Sequence, residues 1–445
     1  MKALAIGLLA GTFLTGISVQ PASAEDLVIW WNKSYYQEED DKFDEIVKAF
    51  EAETGINVDY SLFINEDAPV KALAALSAGE VPDLNFGFLF DLQHTARWAF
   101  EGKLVDVSDV IEPMKDRFMP VALESVYLLN GETGKRSYYA FPTQQQTEHI
   151  HVWNTLLADI DQTVDDIPRT WNEFWQYFCD QQGELRKVTG NRNFYGIGQP
   201  MSSSASDTIF SFMMFANAFN VQWIDADGNS VIGDHRQELI DALDSYVMPA
   251  RERCNPPGAV NWIDSDNNVN FLNQVTLMTP NPSMSIPASQ YQQNPENYTT
   301  NIASIEWPDK PNGDPIVYMT AIKTAVIFEG AKNVEGAKEF MRFLYKPENI
   351  GPYLEGSLGR WFPVMPELVD TPFWQDDSDP HRRIHRLQYM ERPQNPFPFV
   401  YNYRFMPIMT ENAIGKAVGR IVLEDWSTED AADELIERVE LALKG

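Results

Sequence analysis

The chain has 445 residues, 44% of them hydrophobic, and carries 65 acidic against 34 basic side chains, a net charge of −31. That length allows two or three domains with sizeable cores. The acidity excludes the broad basic surface that nucleic acid or an anionic membrane would need, so neither is expected as a partner.

Residues 1–24 stand apart. Lys2 precedes the apolar run "ALAIGLLAGTFLTGI", and "PASA" follows with an A-x-A pattern at Ala22-Ser23-Ala24. A charged start, a hydrophobic segment and a small-residue site together read as a secretory signal peptide, cleaved after Ala24. The run is too short and too rich in Gly and Thr for a membrane span of about 20 apolar residues. Export to the periplasm makes Cys179 and Cys254 candidates for one disulfide, with free buried thiols as the alternative.

Residues 27–31, "LVIWW", suit a buried strand. "QEEDDKFDEIVKAFEAETG" sets Phe43, Ile46, Val47 and Phe50 at helical spacing, crowds acids into the first turns, where the helix dipole favours them, and ends at Gly55. "INVDYSLF" alternates as a strand does, and "PVKALAALSAG" is a second helix between Pro69 and Gly79. "DLNFGFLF" is a third strand and "LQHTARWAFEG" a third helix. Strand–helix alternation predicts an α/β fold with a mainly parallel sheet flanked by helices. Its ligand crevice lies beyond the carboxyl ends of the strands, where Trp31, Asn32, Asn65 and Asp91 fall. Adjacent strand residues face opposite sides, and Trp30 is assigned to the core, Trp31 to the crevice.

Further on, "TIFSFMMFANAF" is a helix with Asp207 as its cap. Residues 279–301, dense in Pro, Asn, Ser and Gln, read as a surface connection. "NVEGAKEFMRFLYKPENI" is helical, and "STEDAADELIERVELALKG" is an amphipathic helix opened by a capping Ser427 with Asp430 three residues on.

This order of features resembles the extracellular solute-binding proteins of bacterial ABC importers, in the sugar-binding branch that includes maltodextrin-binding proteins. The stretches that carry it are "KFDEIVKAFEAETGINVDY", "AGEVPDLNFGFLFDLQHTARWAFEGKLVDVSDVI", "YYAFPTQQQTEHIHVWNTLL", "TWNEFWQYF" and "GAKNVEGAKEFMRFL". The resemblance implies a two-lobe periplasmic binding protein fold hinged by crossing segments, with lobe one at 25–142 plus 301–350 and lobe two at 143–300 plus 351–445. It implies a monomer that captures a mono- or oligosaccharide between its lobes and delivers it to permease subunits in the membrane. Carried over position by position, it points to Trp31, Asn32 and Tyr35 after the first strand, Asp91 after the third, and Gln144, Gln145, Gln146 and Thr147 after the crossover. It also points to Asn281 in "MTPNPSM" and to Trp361 in "GSLGRWFPV". In the first of these loops Pro282 replaces the usual Gly and Met284 stands where a ring is common.

The residue types suit sugar. Trp and Tyr offer ring area with a polar tip, and Asn, Gln and Asp pair with hydroxyls that must be satisfied once buried. A sugar acid, polyol or glycerol phosphate is the alternative solute, with Arg360 as its counter-charge. A secreted glycoside-active enzyme is the alternative of another class, since two carboxylates suffice for that chemistry. No G-x-S-x-G, Walker A or G-x-G-x-x-G motif is present. His149 with His151 and His381 with His385 have metal-pair spacing. The first pair is read as strand packing, and Arg382, Arg383 and Arg386 repel a cation from the second, so no metal and no cofactor is expected.

Overall fold

The computed structural model describes residues 27–444; the expected leader lies outside the described residues. Thirteen strands follow in chain order: β1 Leu27–Asn32, β2 Val58–Phe63, β3 Leu84–Phe86, β4 Tyr127–Asn130, β5 Lys135–Tyr138, β6 Phe141–Gln146, β7 His149–Trp153, β8 Tyr195–Ile197, β9 Thr276–Asn281, β10 Ile302–Ile305, β11 Tyr318–Val326, β12 Phe362–Pro363 and β13 Gln394–Pro396. One sheet runs β12-β6-β11-β3-β1-β2, with β13 beside the start of β11; a second runs β10-β7-β9-β8; β4 and β5 form a hairpin. In the first sheet β1, β2 and β3 are parallel, whereas β11 lies antiparallel to both β3 and β6. In the second sheet only β8 and β9 are parallel. Both sheets are therefore mixed.

The chain crosses between sheets at Thr147–Glu148, between β6 and β7, and returns between β10 and β11. Those crossings differ from the expected division in four places. Residues 143–146 belong to the first sheet, Ile302–Ile305 belong to the second, and Phe362–Pro363 and Gln394–Pro396 return to the first. A short strand beside a crossing carries no local mark of which sheet it joins.

Much of the local structure follows from the spacing of apolar residues. The first helix, Gln37–Thr54, buries Phe43, Ile46, Val47 and Phe50, and Gly55 ends it in the left-handed conformation at φ 74°. The second, Asp67–Ala78, stops at Gly79, φ 70°. The expected third helix is broken at His94 into Phe90–Gln93 and Thr95–Phe100. The helix Ser206–Ala218 starts before Asp207, so Asp207 is a buried first-turn residue and not the cap. The stretch 279–301 holds the end of β9 and the helix Ser285–Gln293 and is no plain connection. In the last helix, Thr428–Lys444, Ser427 Oγ accepts from Asp430 N at 3.0 Å and donates to its carboxylate at 2.7 Å.

In the second lobe Cys179 and Cys254 are joined, with Cα atoms 5.1 Å apart, tying the helix Trp171–Thr189 to the segment beside β8. There Gly196 admits the helix. A Cβ at this position would sit 1.9 Å from the Phe178 carbonyl oxygen. Among the described residues no helix is long and apolar enough to cross a membrane.

Candidate functional site

The strand-end crevice of the first sheet is laced together by Asn32. Its Nδ2 donates to Lys33 O at 2.8 Å and to Asn65 Oδ1 at 3.0 Å, while its Oδ1 accepts from Phe88 N at 3.1 Å. One amide thus fixes the ends of β1, β2 and β3. Asp40 holds the next loop, accepting from Ser34 N at 2.8 Å and pairing with Lys33 Nζ at 2.7 Å.

Trp31 is not in the crevice. It shares a strand face with Leu27 and Ile29, stacks 4.7 Å from Phe43 and lies 4.6 Å from Phe86. Its Nε1 donates to Tyr353 Oη at 3.1 Å. Trp30 takes the other face, half-buried against Phe63 at 5.2 Å. The expected division is reversed because helices carrying Phe43, Phe340 and Tyr353 cover the Leu27 face. The run "LVIWW" has no polar residue to show which face that is.

Deeper in the crevice stands an ion pair. Lys323 of β11 is fully buried, 3.3 and 3.2 Å from the two carboxylate oxygens of Asp91, with its Nζ 4.3 Å from the Phe88 ring centroid. Burial pushes Asp91 up and Lys323 down, each opposed by its partner's charge. Gln144 is the cross-strand neighbour of Lys323 and Gln146 that of Ala321, so Gln144 and Gln146 share the face of Lys323. Gln145 does not join them. It points to the opposite face, donating to Pro363 O at 2.6 Å.

Arg360 lies at the mouth of the crevice. Its guanidinium is 4.4 Å from the Trp361 ring, 4.8 Å from Tyr35 and 5.6 Å from Phe88. Trp361 is buried 5.1 Å from Phe88, whereas Tyr35 is 68% exposed. Glu39, in the first turn of the helix Gln37–Thr54, is buried there too. Burial pushes its carboxyl up to about 7 against the pull of Arg360.

The second lobe meets this mouth through the helix Ser285–Gln293. Tyr36 Oη donates to Ser285 O at 3.3 Å, and Gln292 Nε2 donates to Glu38 Oε1 at 2.6 Å. Asn281 is drawn into holding this helix. Its Nδ2 donates to Ser283 O and Ser285 Oγ and its Oδ1 accepts from Asn267, so its side chain is bonded within its own lobe.

Below the crevice, where β7 leaves the crossing, the structure unites the two histidine pairs. His151 Nδ1 is 2.9 Å from Ser304 Oγ, which lies 2.8 Å from His381 Nδ1, and His381 Nε2 donates to Tyr298 O at 2.8 Å. His149 contacts Gln388 through Nδ1, and the His385 ring is 4.8 Å away. Because His381 Nε2 must carry a hydrogen to meet a carbonyl, its Nδ1 accepts from Ser304, and His151 in turn donates to that oxygen. Burial holds all four imidazoles neutral, pushing His149 down to about 3 and His381 to about 4. Among the described residues no group of three or more His, Cys, Asp or Glu is placed to hold a metal ion.

Sequence reasoning did not name Lys323, Phe88, Tyr36 or Glu39 for the site. Lys323 had one signal, a lone charge in the apolar strand "YMTAIKTAV". Glu39 had a misleading one, since acids in a first helical turn usually face water.

The profile of the family described as bacterial extracellular solute-binding protein matches residues 45–381. The chain belongs to that family. Members bind solute outside the cytoplasm, so this is an exported binding protein and not an enzyme. Solved structures agree on the two-lobe fold. An ABC transporter solute-binding protein of Thermotoga lettingae TMO bound with alpha-D-tagatose is 19% identical, with a TM-score of 0.72 over 94% of this chain and 100% of that one. Maltose-bound T. maritima MalE3 is 17% identical, TM-score 0.71, over 93% and 99%. The sugar-binding protein MalE of Xanthomonas citri is 18% identical, TM-score 0.71, over 94% and 97%. A search of curated protein sequences returns no match.

Proposed function

We propose that this solute-binding protein captures a carbohydrate between its two lobes and hands it to the permease subunits of an ABC importer. In this reading it is exported with cleavage after Ala24 and works as a monomer. The observation that carries the proposal is the mouth of the crevice. Rings (Tyr35, Phe88, Trp361) surround Arg360; Asp91 and Gln144 lie deeper beside Lys323 as further groups able to pair with hydroxyls, and Tyr36 and Glu38 contact the opposite lobe at the mouth. Aromatic faces accept the C–H face of a pyranose, and polar side chains replace the water its hydroxyls lose. The structural neighbours, whose bound molecules include tagatose and maltose, support the same class of solute. Closure over a bound solute is a population shift, driven by contacts made only when both lobes touch it.

The test is a thermal-shift screen of residues 25–445 against neutral sugars, polyols, sugar acids and glycerol phosphates, followed by calorimetry on the hits. A ligand at about 100 times its Kd adds about 2.7 kcal/mol of stability, a plain upward shift in Tm. A saturable one-to-one heat with no product is expected. No shift from any carbohydrate contradicts the proposal.

A further inference from the structure

We propose that the solute is an acidic sugar whose single carboxylate is received by Arg360; this rests on the carbohydrate-capture reading above. Three other cations of this region have carboxylate partners. Lys33 is paired with Asp40, Lys323 with Asp91, and Arg382 with Asp379. Arg360 has three aromatic rings around it and no carboxylate within ion-pair distance, and its Nε is buried with no hydrogen-bond partner in the chain. The acid that acts on it, Glu39, is buried and bonded to Tyr353 and Trp361, with Oε2 unpartnered. Burial raises that carboxyl to about 7, so near neutrality it supplies only part of a counter-charge.

The charges of the crevice can be summed. Lys323 and Asp91 cancel, whichever of them holds the proton. Glu39, raised to about 7 by burial, supplies only part of a negative charge near neutrality beside the Arg360 guanidinium. Arg360 is thus only partly compensated, beside the buried ring of Trp361. Hydroxyls of a neutral sugar would satisfy its N–H groups but not its charge, and a partly buried cation without a counter-ion is costly. A carboxylate brings one negative charge and two oxygens that match the planar guanidinium fork. A phosphate brings up to two charges close to Asp91 and Glu39. The carboxylate therefore fits better, with the sugar ring lying along Trp361 and Tyr35.

Calorimetric titration at neutral pH of residues 25–445 separates these cases, using D-glucuronate, D-galacturonate and digalacturonate against D-glucose, D-galactose and glucose 6-phosphate. A charged hydrogen-bonded contact is worth about tenfold to a hundredfold, so at least one uronate should bind at least about tenfold tighter than its neutral counterpart. Arg360→Gln should abolish that preference, weakening uronate binding at least about tenfold more than it weakens binding of the neutral counterpart. Glu39→Gln removes the competing acid and should keep or strengthen it. Circular dichroism and Tm establish that each variant is folded, and the wild-type comparison stands even if one is not. Neutral sugars that bind as tightly as uronates would overturn this proposal and leave carbohydrate capture standing. Tighter binding of the sugar phosphate, or a preference that survives Arg360→Gln, would also overturn it. No binding by any of the six, with another carbohydrate of the screen bound, would overturn this proposal and leave carbohydrate capture standing.

Discussion

Two buried polar regions lie a short way apart in this molecule, and they handle charge in opposite ways. At the crevice, Asp91 meets Lys323 and Arg360 stands on three rings without an ion-pair partner. Where β7 leaves the crossing, four imidazoles are packed together, all held neutral by burial. The second region is linked through Ser304, Gln388 and the Tyr298 carbonyl, as a structural network is. The first keeps a cation with no ion-pair partner within reach and a buried acid with one oxygen unpartnered. Perturbed titratable groups mark a candidate site where no structural network already accounts for them.

The comparison can be broken most forcefully at its charges and its core. Lys323→Met leaves Asp91 buried without its partner and should cost about 3–5 kcal/mol in chemical denaturation. Trp31→Ala should cost a similar ~3–5 kcal/mol by opening a cavity beside Phe43 and Tyr353. Its effect on solute affinity should be minor, and a large loss of affinity at unchanged stability would return Trp31 to the crevice. Reducing the Cys179–Cys254 disulfide should cost about 2–4 kcal/mol and leave affinity unaltered, because the bond lies within the second lobe.

The histidine cluster predicts a pH dependence of known sign. Unfolded imidazoles take up protons below about pH 6.5. In the fold, His149 waits until about pH 3 and His381 until about 4. Their stabilisation is therefore full above about pH 6.5 and is lost as pH falls toward those folded values. Glu39, raised to about 7, works the other way, favouring the fold as pH falls toward its ordinary range near 4.5. His149→Gln isolates one imidazole. It should flatten the slope of stability against pH by about 1.4 kcal/mol per unit between pH ~6 and ~4, and an unchanged slope would mean that His149 is solvated. The smallest stability effect belongs to Tyr35→Ala. At this exposed ring the change should be within ~0.5 kcal/mol, while solute affinity falls, as seen by calorimetry.

Much of this was readable in the sequence. Helical spacing found the first helix to within a residue, and Gly55 and Gly79 closed their helices as expected. Trp361 was reached through the resemblance and Arg360 as the counter-charge of an anionic solute, and the structure sets the Arg360 guanidinium against both Trp361 and Tyr35. The failures share a cause. Which face of β1 carries Trp31, which sheet takes Ile302–Ile305, and why Gln145 turns from Gln144 depend on partners far along the chain. Asn281 looked like a ligand contact because amides pair with hydroxyls. Its bonds go instead to Ser283, Ser285 and Asn267. Lys323 and Asp91 are 232 residues apart in sequence, so no local pattern could join them.

If solute is enclosed between the lobes, a tether across their mouth must govern its entry and release. Glu38→Cys with Gln292→Cys places two thiols where those side chains now meet at the mouth. Joining them with a short bismaleimide before adding the best carbohydrate from the screen should abolish its calorimetric binding. Joining them after saturation should trap the solute through dialysis. Undiminished binding to the protein tethered beforehand would contradict enclosure between the lobes.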